Sequence, residues 1–184
     1  MAEHHIVITN FTHLTEEQLL FILQRRNHPD IRRWMAHPEP ISAESHLKYC
    51  AALKDKPDTL YLYVTYDGQP ACVITLHATD ATWHELKDTG CYAFDPPLCS
   101  TAIVMNLIRW HLVATRGLKF VRTMIKNTNE MGLFANRFYY GATEVAQDAD
   151  YTYFEVSFPE PPEFYQDKLN AQLQKLHATL DVNL

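Results

Sequence analysis

The spacing of polar and apolar positions changes several times along the chain, and each change predicts an element. Residues 5–9 are mostly β-branched and predict a first strand. Thr15 then stands as an N-cap with Gln18 three positions on, a capping box, and Leu14 and Leu19 bracket it as a staple. Leu19, Leu20, Ile22 and Leu23 form the inner face of that helix up to about Asn27. Pro29 opens a short second helix through Met35, Pro38-Glu39-Pro40 breaks it, and Ser42 caps a third over 43–54. On that third helix Leu47, Cys50 or Ala51, and Leu53 share a face, with His46 beside it. Thr59–Tyr66 alternates, Asp67-Gly68 makes a hairpin turn, and 69–77 returns.

Residues 78–90 hold Trp83 and turn-forming residues, and predict a loop or a broken strand before a fourth strand at 90–94. Ser100 or Thr101 starts an apolar helix that runs to Arg116 and stops at Gly117. A strand at 120–125, a helix near 130–139 and a hairpin within 143–158 follow. Pro159–Pro162 marks a boundary, so residues 1–158 form the domain and 159–184 a polar, helical C-terminal tail. Pattern alone gives one α+β domain.

Length and composition narrow the class. At 184 residues the chain can bury a sizeable core, and ten Tyr, nine Phe and three Trp exclude a disordered polymer. A net charge of −6 argues against nucleic acid as the main partner, because phosphate backbones demand excess Lys and Arg. No apolar run approaches the roughly 18 residues that cross a membrane. Cys50, Cys72, Cys91 and Cys99 form no CxxC pair and follow no signal peptide, which predicts reduced thiols in a cytoplasmic protein. The ten His are scattered without HxH or HxxxH spacing, so no metal site is expected.

The densest chemistry lies between Arg26 and Leu47. Arg26, Arg32 and Arg33 supply guanidinium groups, His28 and His46 imidazoles, and Trp34 and Met35 an apolar surface. Planar cations pair with phosphate oxygens, and Trp or Met can cover a ring. The stretch therefore reads either as a pocket for a phosphorylated, ring-bearing ligand or as an amphipathic helix with solvated arginines.

The run RNHPDIRRWM, continued by EPISAESHLKY, resembles the opening of the N-acetyltransferases that act on UDP-linked 4-amino sugars in pseudaminic acid synthesis, members of the GNAT superfamily. The resemblance is good over 26–53, moderate through 59–95 and weak beyond. It implies the GNAT fold, a mixed, mostly antiparallel sheet flanked by helices and splayed between its central strands, where an acyl thioester enters. It also implies acetyl-CoA as co-substrate, a UDP-amino sugar as small-molecule partner, and allows a homodimer. Arg26, Met35 and His46 fall on family positions that contact the nucleotide.

The same resemblance places the pyrophosphate at the start of the helix after the fourth strand, here Ser100, Thr101 and Ala102. The sequence departs from the family there, since 95–102 contains no glycine and no Arg or Lys precedes Arg109. Asn127 or Asn129 matches the pantetheine-contacting Asn. The tyrosine that protonates the thiolate then falls on Phe134 or Asn136, neither of which can do so, and Tyr139 and Tyr140 replace it only if the helix shifts.

Thr75 and His77, two apart and so on one strand face, supply a base candidate, with Glu85 and Glu130 as alternatives. The missing glycines and tyrosine leave open a GNAT-fold protein that binds without catalysis, and the apolar run 103–110 leaves open an acyltransferase with another donor.

Overall fold

The computed structural model describes residues 3–94 and 98–184. An eight-stranded mixed sheet runs in the order β6-β7-β5-β4-β3-β2-β1-β8. Its strands are β1 (His4–Asn10), β2 (Thr59–Tyr66), β3 (Gln69–Ala78), β4 (Glu85–Ala93), β5 (Phe120–Lys126), β6 (Thr143–Gln147), β7 (Tyr151–Ser157) and β8 (Ala178–Asn183). The helices are α1 (Glu16–Arg26), α2 (Pro29–Arg32), α3 (Ala43–Ala52), α4 (Thr101–Arg116), α5 (Glu130–Phe134) and α6 (Pro162–Leu176).

Local signals fixed most boundaries. The Thr15 hydroxyl accepts from the Gln18 N–H while the Gln18 side chain accepts from the Thr15 N–H, the reciprocal pair that starts α1. Gly117 ends α4 at φ 68°, a left-handed C-cap. Strand β4 begins at Glu85, inside the segment where a loop or broken strand is expected.

The two faces of the sheet carry different partners. Alternation sends Leu62, Cys72, Ile74, Leu76, Leu86 and Val121 to one face, where they pack with Val104, Leu107 and Ile108 of α4 and Tyr165 and Leu169 of α6. Tyr63 and Val73 face the other way, against Leu19 and Ile22 of α1 and Cys50 and Leu53. Residues 159–184 are no appended tail. Strand β8 pairs in parallel with β1 from His4↔Ala178 to Thr9↔Asn183, and α6 packs on α4. The division at 158 therefore gives way to one continuous core.

Strands β4 and β5 run parallel but pair only at Glu85↔Phe120 and Leu86↔Val121. Beyond those pairs each strand continues with other neighbours, β4 against β3 and β5 against β7. The sheet thus splits into a wedge that opens toward Ala93 and Lys126. No helix among the described residues is long and apolar enough to cross a membrane.

Candidate active site

The wedge has a closed end and two sides. At the closed end the Thr123 hydroxyl donates to the Thr89 carbonyl at 3.2 Å, bridging the strands where backbone pairing has ceased. On the α1–α3 side, His77 and Thr75 on β3 lie opposite Asp88 and Gly90 on β4. Tyr61 of β2 meets His77 edge-on at 5.8 Å, and Tyr49 of α3 meets Tyr61 at 5.4 Å. Thr75 and His77 are both half-buried and share this face, as their spacing predicts.

Burial moves the titratable groups here. Desolvation lowers the His77 imidazole below its ordinary 6.5, opposed by the nearby Asp88 charge. Desolvation raises the Asp88 carboxyl above 3.8, opposed by His77. His77 is therefore neutral at physiological pH, the form that accepts a proton. Asp88 was missed in the sequence because residues 85–89 read as turn or loop, with Lys and Asp in place of an apolar alternation. The alternatives lie elsewhere. Glu85 is engaged by Arg122, which also holds Glu155, and Glu130 sits in the first turn of α5.

The opposite side is formed by α4, β4 and the segment after α5. Ser100 is the N-cap residue of α4, yet its side chain makes no capping bond, and the first turn holds no acidic residue. Among the described residues the N–H groups of Thr101 and Ala102 therefore have no capping side chain at the positive end of a 16-residue helix. Ala102 itself is buried, so only its backbone can serve a ligand. The adjoining Asp95, Pro96 and Pro97 lie outside the described residues. The Cys91 thiol is open to solvent, near the Thr101 hydroxyl at the start of α4.

Helix geometry sets where the two tyrosines point. Residues Ala135–Tyr139 form a π-helical turn, with the Tyr140 N–H bonded to the Ala135 carbonyl at 3.0 Å, five residues back. That added residue rotates the chain beyond it. Tyr139 is 56% exposed, its ring meeting Phe134 edge-on at 5.8 Å and its carbonyl accepting from Asn106 of α4. Tyr140 turns inward beneath the Arg109 guanidinium, 4.4 Å from its ring centre, and burial raises its phenol. Of the two tyrosines, Tyr140 is therefore the one turned toward the wedge.

Both candidate asparagines are committed to the protein. Asn127 accepts from the Thr152 hydroxyl at 2.7 Å and donates to the Asp148 carbonyl, while Asn129 caps α5 through the Gly132 N–H. Arg26 is likewise turned inward, donating to the carbonyls of Glu39 and His37 at 2.6 Å each. His46 bonds the Leu19 carbonyl at 3.0 Å and joins α3 to α1. Met35 is half-buried, its carbonyl held by Lys126 of β5. These contacts shape the 27–41 segment. Arg32 and Arg33 line an open depression of ≈ 440 Å³ with Pro29, Pro38, Glu39 and Pro40, Arg32 donating to the Pro38 carbonyl and Arg33 facing the Asp30 carboxylate. Trp34 beside them is 39% exposed.

No family model matches the chain. Solved structures do. The Campylobacter jejuni N-acetyltransferase PseH, in complex with acetyl coenzyme A, is 22% identical over 83% of this chain and 98% of its own, with a TM-score of 0.65. FdhC, described as a nucleotide-linked sugar GNAT, is 14% identical over 94% of this chain and 93% of its own, with a TM-score of 0.68. The chain has the GNAT fold. The spermidine N-acetyltransferase of Vibrio cholerae, solved with CoA and spermine, shares that fold at 11% identity and a TM-score of 0.70, over 88% of this chain and 98% of its own. In GNAT terms the splayed strands are β4 and β5, and the helix after the fourth strand is α4.

Proposed function

We propose that the protein is an N-acetyltransferase that moves an acetyl group from acetyl-CoA to the amine of a nucleotide-linked (UDP) amino sugar by direct attack. The observation that carries this reading is the β4–β5 wedge, with a neutral imidazole on one side and, on the other, a helix N-terminus without a side-chain cap and a half-buried tyrosine. The amine approaches from the α1–α3 side and gives its proton to His77, with Asp88 holding the resulting imidazolium. Diphosphate of the donor lies on the N–H groups that open α4. The sulfur leaves on the α4 side, toward Tyr140.

The depression bearing Arg32, Arg33 and Trp34 supports a nucleotide on the acceptor, since guanidinium groups pair with phosphate and an exposed indole covers a base. The likeness to PseH and FdhC supports the same class.

The test is calorimetric titration with acetyl-CoA, followed by thiol release with a panel of UDP-amino sugars. Micromolar binding and amine-dependent release above the blank support the reading. Binding without release from any amine leaves a GNAT-fold binding protein, and no binding to the folded protein removes acetyl-CoA as donor.

A further inference from the structure

Arg109 is fully buried on α4, and among the described residues it has no carboxylate partner. Its Nη2 donates to the Thr89 hydroxyl at 3.1 Å, while Nε and Nη1 are buried without a partner. An isolated buried cation is costly, and proteins keep such groups where a charge must be met. Thr89 is the residue at which the wedge closes, because its carbonyl also receives the Thr123 hydroxyl. Arg109 thus stands at the closed end of the wedge, on the side away from His77 and Asp88. The titratable groups that face it are Cys91 of β4 and Tyr140 of the segment after α5.

We propose that Arg109 is the fixed positive charge that stabilises the thiolate leaving the acyl donor. This rests on the acetyltransferase reading. The amine nitrogen forms a bond to the carbonyl carbon, the C–S bond breaks, and its electron pair departs on sulfur. The amine proton goes to His77. The acceptor face and the α4 face lie on opposite sides of the acyl carbon, so the charge that develops on sulfur develops toward Arg109. A preorganised cation in a water-poor site acts strongly on such charge and needs no reorganisation. A thiolate so stabilised departs without an acid at Phe134 or Asn136, which accounts for the absence of a tyrosine there. Arg109 acts through its field and through its contacts with Thr89 and Tyr140, as a positioning residue.

The experiment titrates the thiol of CoA bound to the full chain by thiolate ultraviolet absorbance, with the desulfo-CoA complex as the blank for protein thiols. In the wild-type complex the CoA thiol titrates at least one pH unit, a tenfold change in acidity, below free CoA. In Arg109→Met that shift disappears, while Arg109→Lys keeps part of it. With the same variants, kcat falls at least tenfold in Arg109→Met and the acetyl-CoA Kd stays within threefold. A CoA thiol that titrates at or above free CoA in the wild-type complex overturns the proposal, with no variant required. So does an unchanged shift in Arg109→Met. Bound CoA with an ordinary thiol removes this inference and leaves the acetyltransferase reading standing; failure to bind CoA removes both.

Discussion

Asp88 stands directly across the β3–β4 ladder from His77, and burial drives their proton affinities toward each other. The imidazole falls below 6.5 and each group moderates the other's shift. With His77 as base, activity persists as pH drops below 6.5 and declines only at the lowered imidazole value. Asp88 raises the His77 affinity, so Asp88→Asn moves the acidic limb of the kcat profile further down. His77→Ala abolishes that limb and lowers kcat by about 10²–10⁴-fold. A limb unmoved in Asp88→Asn separates the two groups.

Asp88 also sets a pH dependence of stability. Its folded-state affinity is raised above 3.8, so its contribution is full below that value and is lost as pH rises through the folded value. At pH 7 the buried carboxylate therefore costs stability. Asp88→Asn raises Tm at pH 7 and leaves it unchanged near pH 3, in melts followed by circular dichroism. Equal effects at both pH values would contradict the desolvation account.

The inward turn of Tyr140 distinguishes it from its neighbour. On the proposed reaction, Tyr140→Phe removes the phenol on the α4 side of the wedge, where the sulfur leaves, and lowers kcat by about ten- to a hundredfold, with the acetyl-CoA Kd preserved. Tyr139→Phe changes an exposed side chain and stays within twofold of wild type. Steady-state rates of the two variants decide between the inward and outward tyrosines, and a larger loss in Tyr139→Phe would reverse the assignment.

Lys126 crosses the open end of the wedge. From the end of β5 its ammonium donates to the carbonyls of Arg33 and Met35 at 3.1 and 2.8 Å. Lys126→Met releases the segment that carries Arg32, Arg33 and Trp34. Hydrogen exchange over 33–37 speeds up, and the acceptor KM rises several-fold while kcat changes little. Unaltered exchange in that segment would show that the tether is unnecessary.

Most of the fold was legible because its signals are local. The Thr15–Gln18 box, the Asp67-Gly68 turn and the stop at Gly117 each depend on a few adjacent residues. Strand β8 carried a signal too, since Ala178, Leu180 and Val182 alternate with polar residues, but its partner β1 lies at the other end of the chain. The first half of β4 was obscured because Asp88 faces a cleft, where a polar residue has a use. The π-helical turn was invisible for another reason. It depends on Asn136, which is buried, donates to the Gly132 carbonyl and receives the Ala142 N–H, and on Gly132, where an added Cβ would lie 2.9 Å from Ile125 Cγ2. Such packing leaves no periodic trace. The site followed the same division. The shared face of His77 and Thr75 was readable from strand spacing, whereas the inward turn of Arg26 and the burial of Arg109 arise from long-range contacts.

The β3–β4 floor of the wedge depends on Gly90. A Cβ at this position would lie 2.8 Å from the Thr75 hydroxyl oxygen, closer than real Cβ contacts come, and Thr75 is β-branched with few rotamers. Gly90→Ala therefore forces Thr75 or the strand pair to shift and destabilises the protein by about 1–3 kcal/mol, the usual range for overpacking. Thr75→Ala removes the clashing atom. The double variant recovers more than half of the loss, a positive coupling that denaturant melts of the four proteins in the cycle measure. The same cycle read in kcat tests whether the space above Gly90 belongs to the acceptor. If the double variant regains stability but not activity, the Thr75 hydroxyl is needed for turnover. If it regains both, the β3–β4 surface serves only to hold His77 and Asp88 in place.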